Sequence, residues 1–338
     1  MIIDAHSHVW PDRIAAAALG GNRVPGLTAR GDGTVGGLTA TMDRAGVAVS
    51  CCLGIANEAR HVDRVNAFVA GLATERRIGF GTVHVGLPVA ENLASLRRHG
   101  VTAVKVHPLF QNFALDDRRL WEIFDAFGDE IAVITHVGAG GDARTNALSH
   151  PGMIAAIART FPALRLVACH FGGYRVLDEA EETLRGTDVV LETSWPPSLR
   201  LLRPERVRRL IRNHGAERIV FGSDWPMTDP GGGDRRHRGA RPDRRRDQVR
   251  PRWDDGPAPS HRVALDPVSA PSSRAPRGAR EDEGAAGVGG QVPAQRIALA
   301  DAFPRLRGRQ RVRRRCEGSG ARGEPGGLAL RARLPAVR

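Results

Sequence analysis

The feature that most constrains this chain is a repeat of rhythm, not of residues. Across the first two-thirds of its 338 residues, short apolar runs alternate with stretches of amphipathic, helical spacing. Eight apolar runs fall at 1–6, 47–53, 79–85, 103–107, 131–136, 165–170, 189–193 and 218–222. Helical spacing occupies the gaps, at 38–45, 62–74, 90–99, 118–127, 153–160, 176–185 and 204–213. The runs are nearly continuous in apolar residues, as expected of parallel strands covered on both faces. Such βα repetition closes into a (β/α)8 barrel, typically of about 250 residues, or opens into a doubly wound sheet. No GxGxxG follows the first run, and polar residues gather at the C-terminal ends of the runs. The expected fold is therefore α/β, a (β/α)8 TIM barrel.

Charge marks where that rhythm stops. The formal net charge of +13 invites a nucleic-acid reading. Residues 1–229 hold 25 Lys+Arg and 25 Asp+Glu, whereas residues 230–338 hold 25 basic and 12 acidic residues, so the whole excess lies in the last third. Lys105 is the single lysine of the chain. Only 15 of the last 109 residues are Leu, Ile, Val or Phe, about 14% against the ~20% below which chains tend not to fold. Two regions are expected: a barrel at 1–229, and an Arg/Gly/Pro-rich, largely disordered tail at 230–338. No amphipathic stretch follows the eighth run, so the barrel is expected to lack its closing helix. Three accounts of the tail compete: a frame-shifted reading of a GC-rich gene, an arginine arm for nucleic acid or acidic partners, or a weakly folded substitute helix at 297–306. Nucleic-acid binding is expected only through this tail, if at all.

No stretch approaches the ~20 apolar residues of a membrane span. The first four residues carry neither a basic nor an apolar leader, and Cys51, Cys52, Cys169 and Cys316 form no CxxC pattern. A cytoplasmic protein without a disulfide scaffold is expected.

Five residues carry the candidate chemistry. His6 and His8 stand two apart at the end of the first run and so share a face. His136 and His170 end the fifth and sixth runs, and Asp224 follows the eighth. All five fall at the C-terminal mouth, where barrel enzymes place their active sites. Imidazole and carboxylate are the ligands expected for Zn²⁺ or another divalent ion. Asp4 shares the parity of the histidine pair but lies deeper, and reads as a supporting carboxylate.

The segments Asp4–Pro11 (DAHSHVWP), THVG at 135–138, CHFGG at 169–173 and FGSDWP at 221–226 resemble those of the amidohydrolase superfamily of metal-dependent hydrolases. The similar branch contains aminocarboxymuconate semialdehyde decarboxylase. The resemblance covers residues 1–229. It implies that His6, His8, His136 and Asp224 bind one metal per chain, usually zinc, and that His170 is an acid or base. Asp224 is implied to combine ligation with proton transfer. The implied activity is hydrolysis of a small, carboxylated organic substrate, with non-oxidative decarboxylation as the alternative. Homodimers are common among the proteins resembled.

Other residues near the mouth leave alternatives open. Lys105 and His107, two apart on the fourth run, read as a pair for a substrate carboxylate. The alternatives are a carboxylated Lys105 bridging two metals, or a buried lysine paired with Glu192 or Asp4. Gln111 and Asn112 read as substrate hydrogen-bonders or turn residues, and Arg175 as an anion contact or a surface arginine. Gly172 and Gly173 would let backbone N–H groups approach an anion. Trp195 and Trp225 read as rim residues. Cys169, next to His170, is expected to point toward the helical layer as an inert core residue. Substrate specificity is expected to reside in loops such as 11–37.

Overall fold

The computed structural model describes residues 1–21 and 27–231. The expectations for the tail, including the missing closing helix, lie outside the described residues beyond Gly231.

All eight expected strands form: β1 (Ile2–Ser7), β2 (Val47–Leu53), β3 (Arg77–Thr82), β4 (Ala103–Val106), β5 (Ala132–Thr135), β6 (Leu166–Ala168), β7 (Val190–Glu192) and β8 (Ile219–Val220). They make one sheet in the order β1 to β8, every neighbouring pair parallel. Helices α1 (Asp12–Gly20) and α2 (Val35–Ala45) precede β2, and α3 (Val62–Gly71) and α4 (Val89–Arg98) flank β3. Helices α5 (Pro108–Gln111) and α6 (Arg118–Phe127) follow β4, and α7 (Ala143–Asn146) and α8 (Pro151–Thr160) follow β5. Helices α9 (Leu177–Leu184) and α10 (Pro204–His214) complete the described layer. This is the expected (β/α)8 arrangement, nearly closed. No helix among the described residues is long and apolar enough to cross a membrane.

The apolar residues divide as a barrel requires. Val104, Val106, Val133, Leu166, Ala168 and Leu191 face the helices, packing with Leu120, Ile123, Phe124, Ile154 and Ile157. The opposite parity, including Cys51, Ala103, Ile134, Val167 and Val220, forms a smaller cluster. Helix α6 shows why its segment is helical: Leu120, Ile123, Phe124 and Phe127 recur at helical spacing and are buried. The Asp117 side chain caps its start by accepting from Arg119 N–H at 2.9 Å.

The ring closes without a regular ladder. Ala5 N–H donates to Phe221 O at 2.9 Å, and Asp224 N–H donates to His6 O at 2.8 Å. Ser7 bridges Trp225 as an isolated parallel pair. The Asp4 carboxylate adds a polar tie, accepting from Ser223 N–H at 2.9 Å, Ser223 Oγ–H at 2.6 Å and His6 N–H at 3.0 Å. Asp4 thus plays its expected supporting part, and burial pushes its carboxyl up to about 6.

Three local expectations need correction. The third strand begins two residues earlier than 79 and ends at Thr82. Gly79 makes this register possible, because a Cβ there would stand 1.9 Å from Val69 O of α3. The loop 11–37 contains α1 and the start of α2; its alanine-rich stretch favours helix over irregular loop. Cys169 does not face the helical layer. Strand β6 ends at Ala168, so alternation stops short of Cys169, whose thiol lies 3.1 Å from Lys105 Nζ. It remains a buried, protonated thiol, since burial pushes its pKa well up.

Candidate metal centre

The mouth is assembled by strand ends whose side chains escape regular geometry. His8 lies just past β1, His136 just past β5, and His170 opens a 3₁₀ turn (His170–Gly172) after β6. His170 and Asp224 both adopt left-handed backbone, with φ of 60° and 58°. Such strain is held where surrounding structure over-determines it, commonly at functional sites.

His6, His8 and Asp224 converge. Their tips stand 3.1 Å (His6 Nε2 to His8 Nε2), 3.2 Å (His6 Nε2 to Asp224 Oδ1) and 3.5 Å (His8 Nε2 to Asp224 Oδ1) apart. Ligands bound at ~2.0–2.1 Å around one ion stand roughly 3.0–3.4 Å from each other. The proton inventory points the same way. His8 Nδ1 is 3.0 Å from Leu53 O, a pure acceptor, so Nδ1 carries the proton. His6 Nδ1 is 2.9 Å from Glu192 Oε2, which assigns its proton likewise. Both Nε2 atoms then face each other as bare lone pairs, beside a carboxylate oxygen. A divalent cation resolves that repulsion, so the residues fit a metal.

The electrostatics agree. Burial lowers His8 to about 3 and His6 well below the usual histidine range, with Lys105 adding to both effects. Burial raises Asp224 to about 8 and Glu192 to about 7. A site that disfavours every charge in isolation is what a bound cation reverses, by supplying the opposite charge to the carboxylates.

His136 and His170 form a second pair beside the triad, with His136 Nδ1 3.0 Å from His170 Nε2. Burial lowers His136 to about 3 and His170 well below the usual range. His136 is not among the three converging ligand atoms, and its Nε2 is buried without a hydrogen-bond partner. That orphaned nitrogen is the donor a metal would have to claim for His136 to become a fourth ligand. His170 lies in the same cluster, its ring 5.6 Å from that of His6.

Lys105 is fully buried, with Nζ 3.4 Å from His6 Nε2 as well as 3.1 Å from Cys169 Sγ. No hydrogen bond joins it to Glu192 or Asp4, although its charge acts on Glu192 through space. His107 stacks between His136 (4.4 Å) and Phe110 (4.0 Å), with a buried Nδ1 that has no partner. Gln111 is committed to backbone groups of the protein itself. Its Nε2 donates to Val83 O at 2.8 Å and Ala56 O at 3.1 Å, and its Oε1 accepts from His107 N–H at 2.9 Å. Asn112 sits in left-handed backbone at the end of α5. Arg175 is exposed, its guanidinium 5.0 Å from the Tyr174 ring centre.

Glu192 and Ser194 are the site residues that sequence reasoning underused. Glu192 is fully buried and grips His6, yet entered only as a partner for Lys105. The available signal was a glutamate inside the otherwise apolar run VVLETS. Gly222 makes room for it, since a Cβ there would stand 2.1 Å from Glu192 Oε1.

A family model described as amidohydrolase matches residues 3–252. No curated protein matches the chain. Among solved structures, a TIM-barrel protein from Bordetella bronchiseptica is 20% identical, with TM-score 0.53, covering 68% of this chain and 88% of its own. A 5-carboxyvanillate decarboxylase from Sphingomonas paucimobilis is 16% identical, with TM-score 0.49 and coverages of 68% and 90%. An amidohydrolase from Burkholderia multivorans with bound zinc is 20% identical, with TM-score 0.47 and coverages of 67% and 85%.

Proposed function

The chain belongs to the amidohydrolase family, and on that premise we propose that it is a zinc-dependent hydrolase of a small, carboxylated organic molecule. The observation that carries the reading is the convergence of two proton-free Nε2 atoms and one carboxylate oxygen from His6, His8 and Asp224. His136 completes the set through its unpartnered Nε2. When bound, a divalent cation supplies Lewis acidity, activating a water and polarising a carbonyl oxygen.

The remaining work falls to the chain. Glu192 orients His6 through Nδ1, and the Leu53 carbonyl orients His8, so both present Nε2 to one point. His170 is the candidate proton acceptor, with its Nε2 3.0 Å from His136 Nδ1. Lys105 supplies positive charge on the barrel side of the triad, and His107 offers an unpartnered Nδ1 for a substrate carboxylate. Free thiols at Cys51, Cys52 and Cys169 support a reducing, cytoplasmic setting.

Metal analysis of the purified protein tests the reading. About one equivalent of zinc is expected in the wild type and a large loss in His6→Ala. A wild type that binds no stoichiometric metal sinks the proposal. Non-oxidative decarboxylation is the other chemistry these residues can serve, and release of CO₂ from a panel of unsaturated acids would replace hydrolysis with it.

A further inference from the structure

One oxygen atom joins the two halves of the site. Glu192 Oε2 lies 2.9 Å from His6 Nδ1 and 2.8 Å from Ser194 Oγ. Ser194 Oγ in turn lies 2.9 Å from His170 Nδ1 and 3.3 Å from His6 Nδ1. The Ser194 backbone N–H donates to the other oxygen, Glu192 Oε1. All these groups are buried.

The direction of each hydrogen bond follows from what each group can donate. Ser194 Oγ–H donates its single proton to Glu192 Oε2. Its oxygen can then only accept, and the donor is His170 Nδ1–H. The Ser194 carbonyl oxygen, a more distant acceptor 3.2 Å from the same nitrogen, favours the same proton position more weakly. With Nδ1 protonated, neutral His170 has a bare Nε2. That atom accepts from His136 Nδ1–H at 3.0 Å. His136 is left with a bare Nε2, which is the nitrogen found buried without a partner.

We infer that Ser194 is a positioning residue which, with Glu192, fixes the tautomers of three site histidines together: His6 directly, His170 through the serine hydroxyl, and His136 through His170. His6, His170 and His136 then each carry the proton on Nδ1, with His170 Nε2 accepting from His136 and the Nε2 of His136 left bare. Strand β7 and the residues just after it thereby tie the ligand His6 to the base His170. The functional consequence rests on the zinc-hydrolase reading above, but the tautomers themselves require no metal.

The test is ¹⁵N-detected NMR of the histidine side chains in the metal-free full chain. In the wild type, His6, His170 and His136 are each expected with Nδ1 protonated and Nε2 bare. A wild-type His170 protonated on Nε2 overturns the inference without recourse to any variant. In Ser194→Ala the carbonyl remains as the weaker partner, so His170 is expected to become a mixture of tautomers. Ser194→Thr, which keeps the hydroxyl, restores the single form. A His170 signal unchanged in Ser194→Ala, or not restored in Ser194→Thr, overturns the role of the hydroxyl. Zinc titration of the same samples separates this inference from the functional reading. Glu192→Gln is expected to weaken zinc binding by roughly 10–100-fold, the usual cost of losing such a partner. Ser194→Ala, which leaves the His6–Glu192 contact in place, loses much less. Correct tautomers in a protein that takes up no zinc would leave the relay standing and remove the hydrolase.

Discussion

The arc from β4 to β6 and the seam from β7 through β8 to β1 both carry candidate site residues, but they are held by different forces. The arc has ladders of three and four paired residues, sealed by the largest apolar cluster among the described residues. In the seam β7 and β8 have only three and two residues, and β8 meets the six-residue β1 through backbone bonds from Ala5 and Asp224 and through the Asp4 carboxylate. His136 and His170 stand on the arc, whereas His6, His8 and Asp224 stand on the seam. Apolar burial therefore maintains the wall that carries His136 and His170. Polar ties maintain the wall that carries His6, His8 and Asp224, so on the proposed reading metal binding and closure of the ring are one problem there.

The largest effect expected from this contrast is on the arc. Phe124→Ala empties a fully buried position between α6 and the strands and should cost about 3–5 kcal/mol in denaturant unfolding. Its zinc stoichiometry should nonetheless stay near that of the wild type. Metal loss proportional to the stability loss would break the contrast.

The seam gives the next largest effect. Zinc at about 1,000 times its Kd should stabilise the wild type by about 4 kcal/mol through linkage. His8→Ala should lose most of that gain, as read by the shift of Tm on adding zinc. Asp4→Ala removes an acceptor that holds three donors and should cost roughly 3 kcal/mol, while also weakening zinc uptake. Retention of wild-type zinc affinity in Asp4→Ala would uncouple closure from the triad.

The smallest expected effect lies on the seam side but away from the triad. His214, at the end of α10, is buried with Nε2 2.7 Å from Val189 O, and burial lowers its pKa. A folded pKa below the unfolded value near 6.5 means its stabilisation is present above about pH 6.5 and lost as pH falls through the folded pKa. One such proton limits the slope to about 1.4 kcal/mol per pH unit. His214→Gln, which keeps a donor for the carbonyl, should flatten the dependence of unfolding free energy between pH 6.5 and 5. An unchanged profile would show that His214 is not part of the acid sensitivity.

Much of this was legible in the chain because strands buried on both faces must be written as apolar runs, and eight such runs are visible. The positions of His6, His8, His136, His170 and Asp224 followed from those runs, since a residue at a strand end inherits its place from the strand. Parity failed where the strand had already ended, as at Cys169, because β6 stops at Ala168, two residues short of where the apolar run stops. Gln111 lay correctly near the mouth, but its polar atoms were claimed by Ala56 and Val83 carbonyls from other elements.

The sequence by itself determined the barrel and the ring of donors at its mouth, because hydrophobic periodicity is a property of consecutive residues. Only the tertiary structure decided that Glu192 should hold His6 across 186 positions of chain and, through Ser194, reach His170. A histidine offers two nitrogens, and which one stays bare depends on the partner beside the other. That partner is chosen by the folding of the sheet into a ring, which no local pattern records.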